Sequence, residues 1–269
     1  MTAPDRTLRV EHRDSISWIV LDRPQTRNAL SAELLDDFAA QLDQLRESGG
    51  PVIGIRGEGA GFSSGYDLRV AGTAAVHHDP VSDRARLQGY IDVFQKLWEH
   101  PKPVIAAVHG FCLAGATQLC AFADLTFVEE DAQIGEPLLP IGGGFIAPVW
   151  APLVGPKRAK ELSFVPGNRI SGADAVAWGW ANQAVPAGTV VEVVEQLAAR
   201  IALVPPDVLR VKKLSVNRAL EAMGIRQASG AVASMDVLLH GSPDVVAMKA
   251  WIAEAGLKEA IARFRERDL

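Results

Sequence analysis

The stretch that decides the fold occupies residues 104–124 and reads Val-Ile-Ala-Ala-Val-His-Gly-Phe-Cys-Leu-Ala-Gly-Ala-Thr-Gln-Leu-Cys-Ala-Phe-Ala-Asp. Its first five residues, 104–108, are apolar without alternation, which predicts a short strand buried on both faces. Gly110 ends this strand, and an apolar segment of helical character follows from Ala116 to Ala123. The next strand begins after Asp124.

Small residues precede this helix, at Ala114, Gly115 and Ala116. The backbone N–H groups at the start of a buried helix carry partial positive charge, which suits an anion or a developing oxyanion. The same small residues would also let a helix pack closely on a strand. The stretch alone leaves both interpretations open.

The composition is that of an ordinary globular chain of enzyme size, with 269 residues, 48% hydrophobic and 22% charged residues, and a net charge of −5. No cluster of lysine and arginine forms a basic tract, so nucleic acid is not an expected partner. The two cysteines, Cys112 and Cys120, stand in apolar surroundings, which is typical of buried thiols in a reducing compartment. Since no apolar run approaches the roughly 18 residues of a membrane span, we expect a cytoplasmic protein that does not contact a membrane.

The first half of the chain is predicted to contain strands and two long helices. Strand patterns cover Leu8–His12, Ile16–Leu21 and Val52–Arg56. Ser31 is a good cap for a helix that runs to about Ser48, and a second helix is expected from about Ser82 to His100. The segment between them, Arg69 to Asp79 with its neighbouring histidines 77 and 78, is expected to be mobile and exposed.

The second half changes from mixed to purely helical patterns. Glu129-Glu130-Asp131 predicts a solvated turn, and Ser171-Gly-Ala-Asp174 is a capping box that opens a short helix. No strand pattern follows residue 187. We therefore expect an α/β body over residues 1–203 and an all-helical region over residues 204–269.

Three segments carry the chemistry when they are considered together. They read Gly61-Phe-Ser-Ser-Gly-Tyr-Asp-Leu68, His109-Gly-Phe-Cys-Leu-Ala-Gly-Ala-Thr-Gln-Leu119 and Ile134-Gly-Glu-Pro137. In this order and spacing they resemble the crotonase superfamily, the enoyl-CoA hydratase/isomerase proteins. The resemblance runs from Arg9 to about Leu220, and the joint pattern is specific although each segment alone is weak.

The resemblance implies a fold, a ligand and an assembly. The fold would be a ClpP/crotonase-like α/β spiral of ββα units, followed by a C-terminal helical region that makes homotrimers, often paired as dimers of trimers. The ligand would be an acyl-CoA thioester, as in fatty acid metabolism, with lyase or isomerase chemistry. No separate cofactor and no metal are expected, because coenzyme A is part of the substrate.

The resemblance also implies roles for individual residues. Two backbone N–H groups, those of Ser64 and Gly115, would form an oxyanion hole for the thioester enolate, in agreement with a glycine-rich turn and a helix start. The resemblance further implies that the coenzyme A channel is lined by Gly65, Tyr66, Asp67 and Leu68. Arg27 and Ala29 would flank the adenine and phosphate end of coenzyme A. Asp67 is expected to hold its loop rather than act as an acid.

The sequence departs from the family pattern at both usual catalytic glutamates. The corresponding positions are Gln118 and Leu138. A glutamine can hold a water or a carbonyl but does not exchange a proton at neutral pH, and a leucine does neither. Because hydration needs one group to take a proton from water and another to deliver one to carbon, the standard hydratase mechanism is unsupported.

One carboxylate remains close to these positions. Glu136 stands two residues before Leu138, and residues two apart in an extended segment point to the same face, about 6.5–7 Å apart. Glu136 is thus a candidate single base, which would suit a double-bond isomerisation. The alternative is that its side chain points elsewhere.

Three functions stay open at this point. The first is an acyl-CoA enzyme that stabilises an enolate. The second is a catalytically silent acyl-CoA-binding protein, and the third is hydrolysis of a thioester or β-diketone in the same cavity.

Overall fold

A six-stranded sheet forms the centre of the computed structural model, which describes residues 7–68, 79–142 and 146–266, without the side chains of residues 146–149. The strands of the chain are β1 (Leu8–Arg13), β2 (Ile16–Leu21), β3 (Val52–Gly57), β4 (Val104–Val108), β5 (Phe111–Leu113), β6 (Leu125–Glu129), β7 (Gln133–Gly135), β8 (Arg169–Ser171) and β9 (Gln183–Val185). The central sheet has the order β1-β2-β3-β4-β6-β9. β1 is antiparallel to β2, and the other pairs are parallel. The predictions for residues 69–78 lie outside the described residues.

Helices cover both faces of this sheet and form the rest of the chain. They are α1 (Ala32–Glu47), α2 (Pro80–Trp98), α3 (Gly115–Phe122), α4 (Ile146–Val154), α5 (Pro156–Phe164), α6 (Gly172–Trp178), α7 (Val190–Ile201), α8 (Pro206–Ala222), α9 (Ile225–His240), α10 (Pro243–Ala255) and α11 (Leu257–Glu266). The side chain of Ser31 caps α1 as predicted, accepting a hydrogen bond from Leu34 N at 3.2 Å.

The position of β4 between two helical layers explains its uniformly apolar sequence. Val104, Ala106 and Val108 point into the larger core, which also contains the apolar faces of α1, α2 and α3. Ile105 and Ala107 point the other way, into a second core that includes Val190, Val194 and Ala198 of α7. Because each face meets a helix, no residue of the strand can be polar without a buried partner.

A second, three-stranded sheet was not predicted from the sequence. It has the order β5-β7-β8, with β5 parallel to β7 and β7 antiparallel to β8. Each strand has only three residues, which is too short for a recognisable alternation of polar and apolar residues. This sheet matters for function because Leu113 pairs with Gly135, so that the chain leaves the two strands side by side.

Two local predictions need correction. Glu129 was expected in a solvated turn, but it ends β6, is 9% exposed, and accepts a hydrogen bond from Gly188 N at 2.7 Å. α2 begins two residues earlier than expected, because Asp79 caps it by accepting hydrogen bonds from the amides of Val81 and Ser82.

The C-terminal helices pack on the body through α2 and the adjoining turn. Asn217 donates to Trp98 O at 2.9 Å, and Lys213 donates to Asp124 Oδ2 at 2.8 Å. α7 ends at Ile201 and α8 begins at Pro206, so the predicted change at residue 204 falls between them. Within the described residues, no strand follows β9, and no helix is long and apolar enough to cross a membrane.

Candidate active site

A bend between β5 and α3 presents the first N–H group of the site. Ala114 takes φ 50° and ψ −125°, and its amide donates to Gly135 O at 2.9 Å. Gly115 is the first residue of α3, where an amide has no acceptor within its own helix. No described residue accepts a hydrogen bond from Gly115 N, so this N–H group is available to a ligand.

Only glycine fits at position 115. A Cβ built there would lie 2.7 Å from the ring of Tyr66, well inside the contact distance of two carbon atoms. The helix behind this residue is fixed by two further hydrogen bonds. Thr117 Oγ1 donates to Ala114 O at 2.8 Å and accepts from Trp150 Nε1 at 3.1 Å.

The bend from Ser63 to Asp67 lies against Gly115 but does not offer the amide that was predicted. Ser64 N donates to Arg27 O at 3.0 Å. The prediction that Ser64 N belongs to the oxyanion hole is therefore wrong for this structure, because the amide already has a protein acceptor. Gly65 in this bend comes close to Gly115, because a Cβ built on Gly65 would lie 3.1 Å from Gly115 N.

The other predicted residues of this bend have structural contacts. Asp67 pairs with Arg23 at 3.3 Å, and its amide donates to Leu30 O at 3.1 Å, which confirms that it holds the loop. Ala29 is buried and its carbonyl oxygen accepts from Arg23 at 2.8 Å, while Leu68 is half-buried. Ser63 Oγ is buried and donates to Asn28 O at 2.7 Å, so it is held in the loop rather than poised as a nucleophile.

Gln118 lies in the first turn of α3 and is 1% exposed. Its Oε1 accepts a hydrogen bond from the Tyr66 hydroxyl at 2.9 Å, and its Nε2 is buried without a partner. The ring of Tyr66 stacks on Tyr90 with centroids 5.0 Å apart. Burial, followed by the proximity of Tyr90, raises the pKa of Tyr66 well above its ordinary value, so its hydroxyl remains a donor.

Glu136 follows directly on β7 and carries a carboxyl group whose pKa is strongly changed. Its amide donates to Asn168 O at 2.9 Å, while its half-buried carboxyl group forms no hydrogen bond or ion pair with a described residue. Burial raises the pKa of Glu136 to about 7. Leu138 is half-buried and lies beside Gly167, where a Cβ would come within 2.9 Å of its Cδ1.

A group of three arginines lies at one side of these segments. The guanidinium of Arg27 stacks over the ring of Phe111 at 4.1 Å. Partial burial, and then the positive charges of Arg27 and Arg265, lowers the pKa of Arg169. Within the described part of the chain, none of the three forms an ion pair. Arg169 and Arg265 were not predicted from the sequence, because they come from β8 and α11 and meet Arg27 only in the folded chain.

The described residues contain no group of three or more histidine, cysteine, aspartate or glutamate side chains that could hold a metal ion. His109 follows β4, and its Nε2 contacts Gly59 O at 2.9 Å.

Comparison with known proteins places this geometry in a family. Residues 11–242 match the family model described as enoyl-CoA hydratase/isomerase. The chain belongs to this family. Mitochondrial enoyl-CoA hydratase of Pongo abelii is 30% identical over 218 residues, which cover 77% of this chain and 71% of the relative. Hydroxycinnamoyl-CoA hydratase-lyase of Pseudomonas fluorescens is 28% identical over 222 residues, 80% of each chain.

Solved structures of the family confirm the predicted crotonase-like fold. An enoyl-CoA hydratase/isomerase-family protein from Novosphingobium aromaticivorans DSM 12444 is 50% identical with a TM-score of 0.92, covering 96% of this chain and 95% of that one. An enoyl-CoA hydratase/isomerase from Xanthobacter autotrophicus Py2 is 33% identical with a TM-score of 0.92, covering 99% of this chain and 100% of that one.

Proposed function

We propose that this member of the enoyl-CoA hydratase/isomerase family moves a proton along the acyl chain of a coenzyme A thioester, with Glu136 as its single base. The observation that carries the proposal is the carboxyl group of Glu136, which has a pKa raised to about 7 by burial. A base with a pKa near the working pH combines a large deprotonated fraction with useful basicity. Glu136 also leaves β7 beside Ala114, the residue before Gly115.

The chemistry that fits these groups is a shift of a double bond. Glu136 takes a proton from a carbon of the acyl chain, and the electron pair moves onto the thioester oxygen as an enolate. Gly115 N–H donates to that oxygen, which contributes about 3–4 kcal/mol to the stabilisation of such a transition state. Protonated Glu136 then returns the proton to a different carbon.

Hydration of a double bond is not part of the proposal. It needs two proton-transferring groups, and the second group is missing because Gln118 and Leu138 occupy the two usual positions. The arrangement of Glu136 beside a single oxyanion donor is sufficient for isomerisation.

Three arginines supply the positive charge that a coenzyme A thioester requires. Arg27, Arg169 and Arg265 lie close enough for their charges to interact, and guanidinium groups bind phosphate oxygens well. The name of the relative from Pseudomonas fluorescens includes a coenzyme A thioester, and we extend that ligand class to this chain. The backbone of Gly65 to Leu68 would line the channel between these arginines and Gly115.

The exposed apolar face of α8 supports the proposal of a homotrimer or a dimer of trimers. This helix of 17 residues buries only Asn217. Val208, Val211 and Leu214, which are three residues apart and share one face of the helix, are 42%, 64% and 50% exposed, an arrangement typical of a helix that meets another subunit. The buried and unbridged thiols of Cys112 and Cys120 fit a cytoplasmic location.

A direct test follows the conversion of a 3-enoyl-CoA into the conjugated 2-enoyl-CoA by ultraviolet absorbance. We expect turnover by the wild-type protein and a loss of about 10²–10⁴-fold in Glu136→Gln, the usual range for a lost general base. The matched control is Glu130→Gln, which neutralises an exposed carboxylate in the turn after β6.

Other outcomes would decide for the alternatives. Tight binding of the substrate without turnover by the wild-type protein would indicate a silent binding protein. Release of the free coenzyme A thiol, detected with a thiol reagent, would indicate hydrolysis. Rapid hydration of crotonyl-CoA would contradict the single-base mechanism.

A further inference from the structure

The side-chain amide of Gln118 is a buried polar group with only half of its hydrogen-bonding capacity used. Its Oε1 receives the Tyr66 hydroxyl at 2.9 Å. Its Nε2 is buried and has no hydrogen-bond partner, although the residue is only 1% exposed. A buried donor without an acceptor is unfavourable, and in native proteins such groups commonly have a ligand or an ordered water as partner.

The hydrogen bond from Tyr66 determines which group of the Gln118 side-chain amide has no partner within the protein. The Tyr66 side chain stacks on Tyr90 at 5.0 Å, which fixes the position of its hydroxyl group. Because that hydroxyl donates to Oε1, the group that remains for another molecule is the NH₂ donor. The matching group on a ligand is therefore an acceptor oxygen.

The position of Gln118 indicates which part of a ligand it would meet. It stands three residues after Gly115 in the same helix, a rise of about 4.5 Å along the axis and close to one full turn. Both residues consequently lie on nearly the same side of α3. If the thioester oxygen lies at Gly115 N, as in the proposed function, the acyl carbons beyond it pass the Gln118 amide.

The neighbouring polar groups do not compete for this role. Thr117 Oγ1 already donates to Ala114 O and accepts from Trp150 Nε1, so both of its functions are used within the protein. Leu138 offers no hydrogen-bonding group at all. Among these side chains, Gln118 is the one with a buried donor left over.

From these observations we infer that the site binds an acyl-CoA thioester more tightly when its acyl chain carries an oxygen close to the thioester, and that Gln118 Nε2 donates to this oxygen. A keto or hydroxyl oxygen on the third acyl carbon has the required reach. A plain hydrocarbon chain would leave the buried Gln118 donor without an acceptor. This inference rests on the proposed function, because it assumes that an acyl-CoA thioester occupies the site.

The test compares three four-carbon ligands: butyryl-CoA, acetoacetyl-CoA and 3-hydroxybutyryl-CoA. Their affinities for the full-length protein are measured by isothermal titration calorimetry. We expect the two oxygenated ligands to bind about five- to tenfold more tightly than butyryl-CoA, the effect of one net hydrogen bond. In Gln118→Met, which keeps the length of the side chain but removes the donor, the ratio of the affinities for the oxygenated ligands and for butyryl-CoA should fall to about one. Gln44→Met, on the exposed face of α1, is the control and should keep the preference.

A second variant separates recognition from folding. Tyr66→Phe removes the donor to Oε1, so the amide can then accept as well as donate. We expect the preference to shift from the keto ligand, which can only accept, towards the hydroxyl ligand, which can do both. A purely structural role of Tyr66 would weaken all three ligands equally.

Each remaining result has a defined meaning. An unchanged preference in Gln118→Met, or equal binding of all three ligands by the wild-type protein, would overturn the inference about Gln118 and leave the proposed function intact. If the wild-type protein binds none of the three ligands, the proposed function itself fails.

Discussion

The candidate site has an α3 wall, formed by the first turn of α3 with Thr117 and Gln118, and a β7 wall, formed by Glu136 after β7. The two walls differ in how many of their polar side-chain groups form hydrogen bonds within the protein. On the α3 wall, Thr117 has partners within the protein, and Gln118 is held by Tyr66. On the β7 wall, the carboxyl group of Glu136 has no described partner, and its pKa is raised to about 7 by burial. The comparison shows that one wall fixes geometry through hydrogen bonds, while the other provides a group whose protonation state can change.

Among the variants that test this comparison, the largest effect is expected from disturbing the α3 wall at the contact between Gly115 and Tyr66. In Gly115→Ala, the added methyl group would lie 2.7 Å from the ring of Tyr66 and displace either the ring or the N–H group. We expect isomerase turnover to fall about 10²–10³-fold, as when one oxyanion donor is lost. Steady-state kinetics with a 3-enoyl-CoA measures this. Gly89→Ala in α2 is the control, since a methyl group there meets nothing within 4 Å; an equal loss in both variants would show that the contact with Tyr66 is irrelevant.

The pH dependence of the reaction tests the role of Glu136 on the β7 wall. Only deprotonated Glu136 can act as the base, and its pKa is about 7. We therefore expect kcat/KM to rise about tenfold per pH unit below pH 7 and to level off above it. A profile measured between pH 5 and 9 that is flat, or that has its midpoint near the ordinary value for a glutamate, would contradict the assignment of Glu136.

The same carboxyl group should also lower the stability of the protein. Because burial raises the pKa of Glu136 from 4.5 to about 7, the folded state holds the proton more tightly than the unfolded state. Ionisation between these two values therefore destabilises the folded state as the pH increases. We expect Glu136→Gln to be more stable than the wild type by roughly 1–3 kcal/mol at pH 8. Urea unfolding at pH 8 and pH 4 measures this difference, which should vanish at pH 4.

The smallest expected effect is a change in stability at Ala114, the residue between β5 and α3. Ala114 adopts φ 50°, a conformation that is unfavourable for any residue with a Cβ. We expect Ala114→Gly to leave stability unchanged or raise it by up to about 1 kcal/mol, because relief of strain exceeds the added entropy of the unfolded chain. Ala116→Gly, two residues later in α3, should instead cost about 1 kcal/mol or more. Thermal unfolding distinguishes the two, and a loss of stability in both variants would argue against strain at Ala114.

Much of the body could be predicted because its elements are long and its patterns are local. The stripe of apolar residues in α1 repeats at helical spacing, and Ser31 stands where a cap is needed. The apolar run of β4 indicated burial on both faces, and both faces are buried. That Gln118 and Leu138 replace the two usual glutamates follows from the resemblance to the family, and it stays a prediction.

The parts of the site that were missed depend on contacts between distant residues. The amide of Ser64 is occupied by the carbonyl oxygen of Arg27, which stands 37 positions earlier in the chain. The strands of the small sheet have three residues each, so their pairing depends on tertiary contacts rather than on sequence periodicity. Neither feature leaves a local pattern in the sequence.

The ion pair between Asp124 and Lys213 affects the order in which parts of the protein can fold during translation. Asp124 Oδ2 accepts from Val104 N, at the start of β4, at 2.7 Å and from Lys213 Nζ at 2.8 Å. Lys213 is synthesised 89 residues after Asp124. During translation, the Asp124 carboxyl group therefore lacks its cationic partner until α8 has left the ribosome, so that this part of the sheet becomes fully stable only after α8 has packed against it.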